Sequence, residues 1–228
     1  QQNVAISQLI DSSHILCWAA KWYGADEIQF SSIYDSSPKR MLQKIHKMLN
    51  EADAVVHYNG TKFDIPILNK EFLMHDLPPP APYKQIDLLR VARSRFKFAS
   101  NKLDFVSTAL GLGKKIRHKG FELWVECMNK NPDAWKSMKE YNIGDVELLE
   151  KVYDRMLPWI KNHPNQGLYT KDDSLVCPSC ASVHYHKRGT SFARALRYQR
   201  YQCNDCGTWF RDNKAMPPRG TDKFIGVA

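Results

Sequence analysis

The sequence predicts an α/β domain, in which helices flank a mixed sheet, followed by a small β module. A strand–turn–helix pattern at residues 54–73 and a long helical pattern at residues 134–157 predict the first part. Two Cys-x-x-Cys motifs near the C-terminal end of the sequence predict the second part, because paired motifs of this kind bind zinc in small β modules.

The length and charge of the chain fit this division. Its 228 residues suit one domain of ordinary size and one small domain, which we expect at residues 1–167 and 171–213, with a flexible tail at residues 214–228. The formal net charge of +9 and the pI near 9.2 favour a polyanionic partner, although a generally basic protein is the alternative. The net charge is +5 over residues 171–228 and +4 over residues 1–170, so the small domain is the more basic one per residue.

The composition suits a folded domain and bears on the cellular compartment. Hydrophobic residues make up 43% of the chain and aromatic residues 11%, which is enough for a packed core. The sequence contains no run of 18 or more apolar residues and no signal peptide pattern, so we expect a cytoplasmic protein without a membrane span. Cysteines in Cys-x-x-Cys pairs agree with a reducing compartment.

The elements at the start of the sequence predict the antiparallel side of the sheet. Residues 4–10, 14–22 and 27–33 favour strands, with a polar turn cluster between the first two. A helix is expected at residues 38–50, where apolar residues recur at helical spacing. Cys17 and Cys127 are expected to be core thiols.

The next stretch places a carboxylate at a strand-to-helix junction. An apolar run at residues 54–56 ends at Asn59-Gly60, which predicts a short buried strand and a turn. After the turn, apolar residues at helical spacing predict a helix that starts near Asp64, and Pro66 suits its first turn. Such junctions are where α/β proteins build their sites. The alternative role of Asp64 is a helix N-cap.

A second pair of polar residues lies on the long helix at residues 134–157. Tyr141 and Asp145 are four residues apart and therefore share one helix face. The carboxylate suits a divalent cation, and the phenol suits the orientation of an attacking water. The alternative is a core tyrosine beside a solvated aspartate.

Together these two stretches resemble the DEDD, or DnaQ-like, 3′→5′ exonucleases, which have a ribonuclease H-like fold. The resemblance is to the tyrosine branch, which includes the proofreading domains of family-B DNA polymerases. The second motif of that family, N-x-x-x-F-D, is met by Asn59, Phe63 and Asp64. The third motif, Y-x-x-x-D, is met by Tyr141 and Asp145. With the cysteine pairs at its end, the chain is similar to stand-alone exonucleases encoded by bacteriophages, which would place it in the host cytoplasm.

The resemblance covers residues 14–160 and implies hydrolysis of phosphodiester bonds of DNA at single-stranded 3′ ends, with two Mg²⁺ or Mn²⁺ ions. It implies that Asp64 and Asp145 are metal ligands and that Tyr141 orients the water. It further implies that Asn59 and Phe63 contact the nucleic acid. A replication or recombination complex is the expected setting.

The first motif of the family, D-x-E on the central strand, is not found ahead of the second motif. Asp145-Val146-Glu147 has this form but lies on the long helix and already serves as the third motif. Because the chain begins at Gln1 without an initiator methionine, we expect that it is truncated at the front and lacks part of the active site.

Between the two motifs, residues 84–88 predict another buried strand, which ends at Asp87. A helix cap explains Asp87 better than a place in the site does. A basic loop then precedes a predicted helix at residues 121–128, and we expect it to contact the substrate backbone. Its cations are Lys114, Lys115, Arg117 and Lys119. The loop is not a P-loop, because the required glycine spacing and the following Ser or Thr are missing.

Four of the six cysteines form two Cys-x-x-Cys pairs with 22 residues between them: Cys177, Cys180, Cys203 and Cys206. Four thiolates complete a tetrahedral zinc site, so we predict one structural zinc ion in a zinc ribbon. The ribbon strands are expected at residues 183–187 and 200–202, and Gly207 suits a tight turn after the second pair. Disulfides are the alternative.

The ribbon also carries a basic set that suits nucleic acid: Arg188, Arg194, Arg197 and Arg200. Tyr198, Tyr201, Trp209 and Phe210 lie near these arginines in the sequence and suit base stacking. The alternative for Trp209 and Phe210 is the core of the module itself.

The sequence is compatible with three functions. The first is the metal-dependent 3′→5′ exonuclease. The second is a nucleic-acid-binding protein that keeps a nuclease scaffold without its chemistry. The third is an RNA-directed or structure-specific nuclease on the same scaffold. Metal-dependent digestion of labelled single strands distinguishes the first from the second.

Overall fold

The computed structural model describes residues 14–169 and 174–217. The described residues divide into two compact units, one up to Asp154 and one from Arg155 onward. The strand expected at residues 4–10 lies outside the described residues, as does the expected tail from residue 218 onward. The sequence-based domain bounds remain predictions.

The first unit begins with an antiparallel strand pair and a helix. Strands β1 (Cys17–Ala20) and β2 (Gln29–Ser32) pair along their whole length. Helix α1 (Pro38–Glu51) follows, and its first turn is capped by Ser37, whose side chain accepts a hydrogen bond from the backbone N–H of Arg40. The apolar face of α1 packs against Trp18 and forms the first core cluster. The helix therefore forms where the sequence predicts it.

A parallel strand pair and two helices come next. Strands β3 (Ala54–His57) and β4 (Lys84–Asp87) are parallel, and helix α2 (Asp64–Met74) lies in the connection between them. Such a crossover is what parallel pairing requires. Helix α3 (Leu88–Arg95) starts directly after β4.

Three further helices follow: α4 (Leu103–Ala109), α5 (Phe121–Met128) and α6 (Pro132–Met156), whose last two residues belong to the second unit. Leu123 and Cys127 of α5 pack against Trp135 and Met138 of α6 in a second core cluster. The prediction that Cys127 is a core thiol is confirmed. Cys17 is half-buried beside this cluster.

The strand pairs contain both kinds of pairing that a mixed sheet has. In the described part of the chain, however, β1–β2 and β3–β4 are separate two-stranded sheets. The strand expected at residues 14–22 is also shorter than predicted. The chain leaves the β conformation after Ala20 and turns at Trp22, whose carbonyl accepts a hydrogen bond from Ala25 N at 3.0 Å.

The second unit contains two short 3₁₀ helices, at Leu157–Trp159 and Gln166–Tyr169, and one antiparallel sheet. Its strands, in spatial order, are β5 (Tyr185–Ala193), β6 (Leu196–Cys203) and β7 (Trp209–Ala215). Both predicted ribbon strands lie within or overlap β5 and β6, which are longer than the sequence indicates.

Candidate active site and candidate metal centre

The turn after β3 requires a left-handed residue at position 59 and a residue without a side chain at position 60. Asn59 has a φ of +68°, a left-handed conformation that asparagine tolerates well. Gly60 N donates a hydrogen bond to His57 Nδ1 at 3.1 Å. A Cβ on Gly60 would lie 2.7 Å from His57 Cγ, so the backbone approaches the imidazole as closely as glycine allows.

Asp87 holds this turn from the neighbouring strand. Its Oδ1 accepts hydrogen bonds from Leu89 N at 3.0 Å and from Asn59 N at 2.8 Å. The predicted capping of α3 by Asp87 is therefore confirmed. The link to Asn59 was not predicted, because it depends on the pairing of β3 with β4, which places His57 opposite Asp87.

The turn leads directly into the residues of the N-x-x-x-F-D motif. Ile65 N donates to Gly60 O at 2.9 Å, which fixes the start of α2. Asp64 is the first residue of α2 and is exposed, at the positive end of the helix dipole. Phe63 occupies the cap position and is 59% exposed, so Asp64 is not the N-cap. Both side chains are available to solvent.

On α6, a lysine ammonium group bridges Tyr141 and Asp145. Lys115 Nζ lies 2.7 Å from Asp145 Oδ2 and 3.1 Å from the Tyr141 hydroxyl oxygen. The side chains of Lys115 and Asp145 are 28% and 25% exposed, so the contact is partly shielded from water. The sequence places Lys115 in a substrate-binding loop and gives no indication of this ion pair.

The pKa values of these groups follow from their contacts. Burial by itself lowers the pKa of Lys115, but the hydrogen bonds to Asp145 and Tyr141 outweigh it and raise the pKa above its ordinary value. Burial raises the pKa of Tyr141, while the hydrogen bond from Lys115 acts in the opposite direction and does not cancel the rise. At neutral pH the site therefore contains a charged lysine and a protonated phenol.

The loop that carries Lys115 is seated on α6 by several contacts. Asp104 Oδ1 accepts a hydrogen bond from Lys115 N at 2.9 Å. A Cβ on Gly144 would lie 2.7 Å from Ile116 Cδ1, so Gly144 makes room for this loop between Tyr141 and Asp145. The ring of His118 packs edge-on against Tyr141 with centroids 4.5 Å apart. A glycine inside a strongly helical pattern was the one available signal of this close approach.

Asp145 has a second oxygen that suits a metal ion. Its Oδ1 is buried and accepts no hydrogen bond from any of the described residues. It is one of seven buried polar side-chain atoms in the described residues that lack a hydrogen-bond partner, so it is open to an ion but does not mark a site by itself. Within residues 14–169 and 174–217, however, the only group of three or more His, Cys, Asp or Glu side chains near enough to share a metal is formed by cysteines. Asp64 and Asp145 each offer carboxylate oxygens, but neither belongs to such a group within the described residues.

The other cations of the basic loop differ in their surroundings. Lys114 and Arg117 are exposed. Lys119 Nζ lies 3.4 Å from Glu126 Oε1, and 65% of its side chain is exposed. These three side chains remain candidates for phosphate contacts, whereas Lys115 is bound to Asp145.

The four cysteines of the two Cys-x-x-Cys pairs come together in the second unit. Their sulfurs all lie within 4.8 Å of one another. The Cys177–Cys206 and Cys180–Cys203 Sγ distances are both 3.6 Å, so these thiols are free and not disulfide-bonded. A tetrahedral ion with Zn–S bonds of about 2.3 Å sets its sulfurs about 3.8 Å apart, which fits these distances.

The two Cys-x-x-Cys turns share one backbone arrangement. In each, the amide after the second cysteine donates to the carbonyl of the first: Ala181 N to Cys177 O at 2.8 Å, and Gly207 N to Cys203 O at 3.2 Å. Both donors are left-handed, with φ of +56° at Ala181 and +78° at Gly207. The tight turn expected at Gly207 is confirmed, and its counterpart at Ala181 was not foreseen.

The arginines predicted to bind nucleic acid lie on β5, on β6 and in the turn between them. Arg188, Arg194 and Arg200 are exposed, while Arg197 is half-buried, with its Nη2 3.5 Å from Pro217 O. Phe210 packs in the core of the sheet and Trp209 does not.

Comparison with known proteins identifies the class. The family model RNase_H_2, described as RNase_H superfamily, matches residues 11–157. This is more than half of the chain, and the protein therefore belongs to the ribonuclease H superfamily, whose members are typically nucleases. The ribonuclease H-like fold expected from the sequence is confirmed, and the assignment to the DEDD exonucleases remains a prediction.

Among solved structures, the chain is similar to the family B DNA polymerase from the hyperthermophilic archaeon Pyrobaculum calidifontis. The TM-score is 0.49 and the sequence identity is 18%. The likeness covers 58% of this chain and 20% of the polymerase chain, so the chain spans about a fifth of that protein. No curated protein matches the sequence.

None of the helices in the described residues combines the length and the apolar character needed to cross a lipid bilayer.

Proposed function

We propose that this protein is a metal-dependent 3′→5′ exonuclease that acts on single-stranded 3′ ends of DNA. Membership of the ribonuclease H superfamily supports a nuclease. The net charge of +9 supports a polyanionic substrate. The polarity rests on the match of Asn59, Phe63 and Asp64 to one exonuclease motif and of Tyr141 and Asp145 to another.

The observation that carries this proposal is the cation held between Tyr141 and Asp145. An ammonium group that contacts a carboxylate oxygen at 2.7 Å and a phenol oxygen at 3.1 Å marks a place where positive charge is stabilised. A divalent cation with a bound water would use the same oxygens. The buried and unpaired Oδ1 of Asp145 is a further donor for such an ion.

Each side chain would have its own task in hydrolysis. Asp64 and Asp145 would hold Mg²⁺ or Mn²⁺, which when bound supplies an activated water and stabilises the leaving oxygen. Tyr141 would orient that water as a hydrogen-bond donor, because its raised pKa keeps the phenol protonated. Phe63, which is largely exposed beside Asp64, would stack on the terminal base, and Asn59 would contact the nucleic acid. The phosphate backbone would lie along Lys114, Arg117 and Lys119.

The number of carboxylates available to bind metal determines the rate of DNA hydrolysis that we expect. The sequence contains the second and third motifs, and its D-x-E tripeptide, at Asp145–Glu147, lies within α6. Two carboxylates hold two divalent cations poorly. We therefore expect these 228 residues to hydrolyse DNA slowly or below detection in ordinary turnover assays.

The four cysteines would bind one zinc ion with a structural role. Four thiolates leave no open position for a substrate or a water, so this ion would stabilise the second unit without taking part in hydrolysis. Metal analysis of the purified protein tests this part. One zinc per chain is expected, and chains without zinc whose cysteines are oxidised in pairs would contradict it.

A nucleic-acid-binding protein without catalysis is the second candidate. The ion pair between Lys115 and Asp145 favours it, because a lysine that permanently neutralises Asp145 would leave little affinity for Mg²⁺. On this alternative the protein binds single strands, and the binding does not depend on divalent metal. An RNA-directed or structure-specific nuclease on the same scaffold is the third candidate.

A single-turnover assay distinguishes these functions. Excess protein is mixed with 5′-labelled single-stranded DNA, in parallel with 5′-labelled single-stranded RNA and duplex DNA, with and without Mn²⁺. We expect Mn²⁺-dependent shortening of the DNA single strand from its 3′ end. Asp145→Asn and Asp64→Asn should abolish it, because an electrostatic site loses orders of magnitude in rate with one such group. Tyr141→Phe should only slow it.

The control variant is Asp133→Asn, an exposed carboxylate in the first turn of the same helix α6. It should shorten the DNA at the wild-type rate. Shortening that persists in Asp145→Asn, or that starts from the 5′ end, would contradict the proposal. Binding of the strand without any shortening, even at long reaction times, would favour the second candidate.

A further inference from the structure

The two faces of the β5–β6–β7 sheet differ in character. One face is the core of the second unit. There Tyr185, Tyr201 and Phe210 form a ring cluster with centroid distances of 5.0–5.5 Å, and Tyr201 is only 7% exposed. Alternate residues of a strand point to opposite faces, so the neighbours of these residues lie on the other side of the sheet.

The other face carries aromatic rings paired with guanidinium groups. Trp209 is 51% exposed, and Arg200 Cζ lies 5.0 Å from the centroid of its ring. Arg211 Cζ lies 3.8 Å from the centroid of the Tyr198 ring. We call this surface, formed by Tyr198, Arg200, Trp209 and Arg211, the Trp209 face. The strand register places Arg200, Arg211 and Trp209 on one side, because Arg200 pairs with Arg211 and Gln202 pairs with Trp209. Tyr198 joins them through the contact of its ring with Arg211.

The charges on the Trp209 face are not balanced by acids. Arg200 and Arg211 are direct cross-strand partners, an arrangement that disfavours folding because like charges meet. Within the described residues, neither guanidinium forms an ion pair with a carboxylate. Asp212, the nearest acid in sequence, is turned to the core side, where it accepts a hydrogen bond from the Tyr201 hydroxyl at 3.4 Å.

The guanidinium groups are held in place although they lack acidic partners. Arg200 Nε donates to the carbonyl oxygen of Arg188 at 2.9 Å, which fixes the guanidinium group while the side chain stays exposed. Residues 174–217 contain seven Lys and Arg and two Asp, a net charge of +5. A fixed, unneutralised arginine pair in a strongly basic unit favours a ligand that carries phosphate groups.

We propose that the Trp209 face binds single-stranded nucleic acid. Arg200 and Arg211 would contact successive phosphates, and the exposed indole of Trp209 would stack on a base between them. A single strand is the fitting form, since the base faces in a duplex are already covered by neighbouring bases. The site lies in the second unit and needs no hydrolysis, so it stands independently of the proposed nuclease activity.

This assignment changes the set of residues expected from the sequence alone. Of the four arginines that the sequence predicts to bind nucleic acid, only Arg200 belongs to the Trp209 face. Arg194 lies in the turn between β5 and β6. Arg197 directly precedes Tyr198 on β6, and because successive residues of a strand point to opposite faces, its side chain lies on the other side of the sheet. Arg211 was not predicted. Trp209, for which a core role was the alternative, supplies the stacking surface instead.

The test is a binding titration of the whole zinc-loaded chain with fluorescein-labelled oligothymidylate, followed by anisotropy without added Mg²⁺ or Mn²⁺. Trp209→Ala should weaken binding about tenfold or more and leave the salt dependence unchanged, because stacking releases no counterions. Arg200→Gln and Arg211→Gln should each weaken binding and lower the slope of log K against log salt by about 0.7. Unlabelled duplex DNA should compete poorly.

Trp159→Ala and Lys161→Gln are the matched controls, since both side chains are exposed in the same unit but lie outside the sheet. They should bind like the wild type. Trp209→Phe keeps a stacking ring and should retain most of the affinity, which separates stacking from a role in folding. The proposal is overturned if Trp209→Ala binds within twofold of Trp159→Ala, or if duplex DNA competes as well as single strands. It is also overturned if neither arginine variant changes the salt slope.

Discussion

Lys115 Nζ lies 2.7 Å from Asp145 Oδ2, so the carboxylate proposed as a metal ligand is neutralised by a residue of the same chain. The hydrogen bonds to Asp145 and Tyr141 raise the pKa of Lys115 even though burial opposes this, and the ammonium therefore stays charged at neutral pH. A divalent cation that binds Asp145 must displace this ammonium group. The balance between the two cations decides whether the site is a nuclease centre or a permanent ion pair.

The turn at Gly60 gives a prediction about stability. Gly60→Ala places a Cβ 2.7 Å from His57 Cγ, and we expect a loss of about 1–3 kcal/mol in the free energy of unfolding, which is typical of overpacking. Urea unfolding measures it. In a His57→Ala background the same substitution should cost much less, because the ring it meets is gone. An equal cost in both backgrounds would show that the contact with His57 is not the cause.

Asp87 provides a second stability test. Asp87→Ala removes the acceptor of two backbone N–H groups and should cost about 2–4 kcal/mol, the sum of a lost cap and an unsatisfied buried donor. Asp87→Asn keeps an oxygen in the same place and should cost clearly less. Thermal unfolding of the two variants measures these costs. Equal losses of stability in both would argue against the hydrogen bonds to Asn59 and Leu89.

The two cysteine turns predict opposite effects for a matched pair of substitutions. Ala181 adopts a left-handed φ of +56°, so Ala181→Gly should relieve about 1 kcal/mol of backbone strain and slow the release of zinc to a chelator. Gly207→Ala introduces the same strain at φ +78° without any steric contact and should speed the release. Chelator-driven release followed by absorbance measures both. Changes of the same sign in the two variants would contradict the equivalence of the turns.

Helices α1, α2, α5 and α6 form where the sequence predicts them, and the apolar period is clearest in α1, whose buried residues recur at helical spacing. The segment at residues 121–128 coincides with α5, and the capping role of Asp87 followed from its position between a strand and a helix. Strand lengths were less accurate. Where β1 ends depends on the turn at Trp22, which periodicity does not reveal.

The contacts that define the candidate sites could not be read from the sequence, because they join distant segments. The approach of Lys115 to Asp145 depends on how the loop packs against Gly144, and the hydrogen bond from Asn59 to Asp87 depends on strand register. The Trp209 face likewise depends on the pairing of β6 with β7, which includes an irregular step between Tyr198 and Arg200.

A Mn²⁺ titration of the zinc-loaded protein, in which the spectroscopic signal of free Mn²⁺ reports binding, tests the proposed metal site at Asp145. Because zinc occupies the four cysteines, Mn²⁺ cannot bind there. The wild-type protein should bind Mn²⁺ weakly, and Asp145→Asn should lose this binding. Lys115→Met should bind Mn²⁺ about tenfold or more tightly than the wild type, because a like charge close to the ion is removed.

Lys114→Met is the matched control, since Lys114 is the exposed neighbour in the same loop and has no described contact with Asp145. We expect wild-type Mn²⁺ affinity for this variant and a clear gain for Lys115→Met alone. Equal affinities in Lys115→Met and Lys114→Met, or Mn²⁺ binding that survives Asp145→Asn, would contradict a metal site at Asp145.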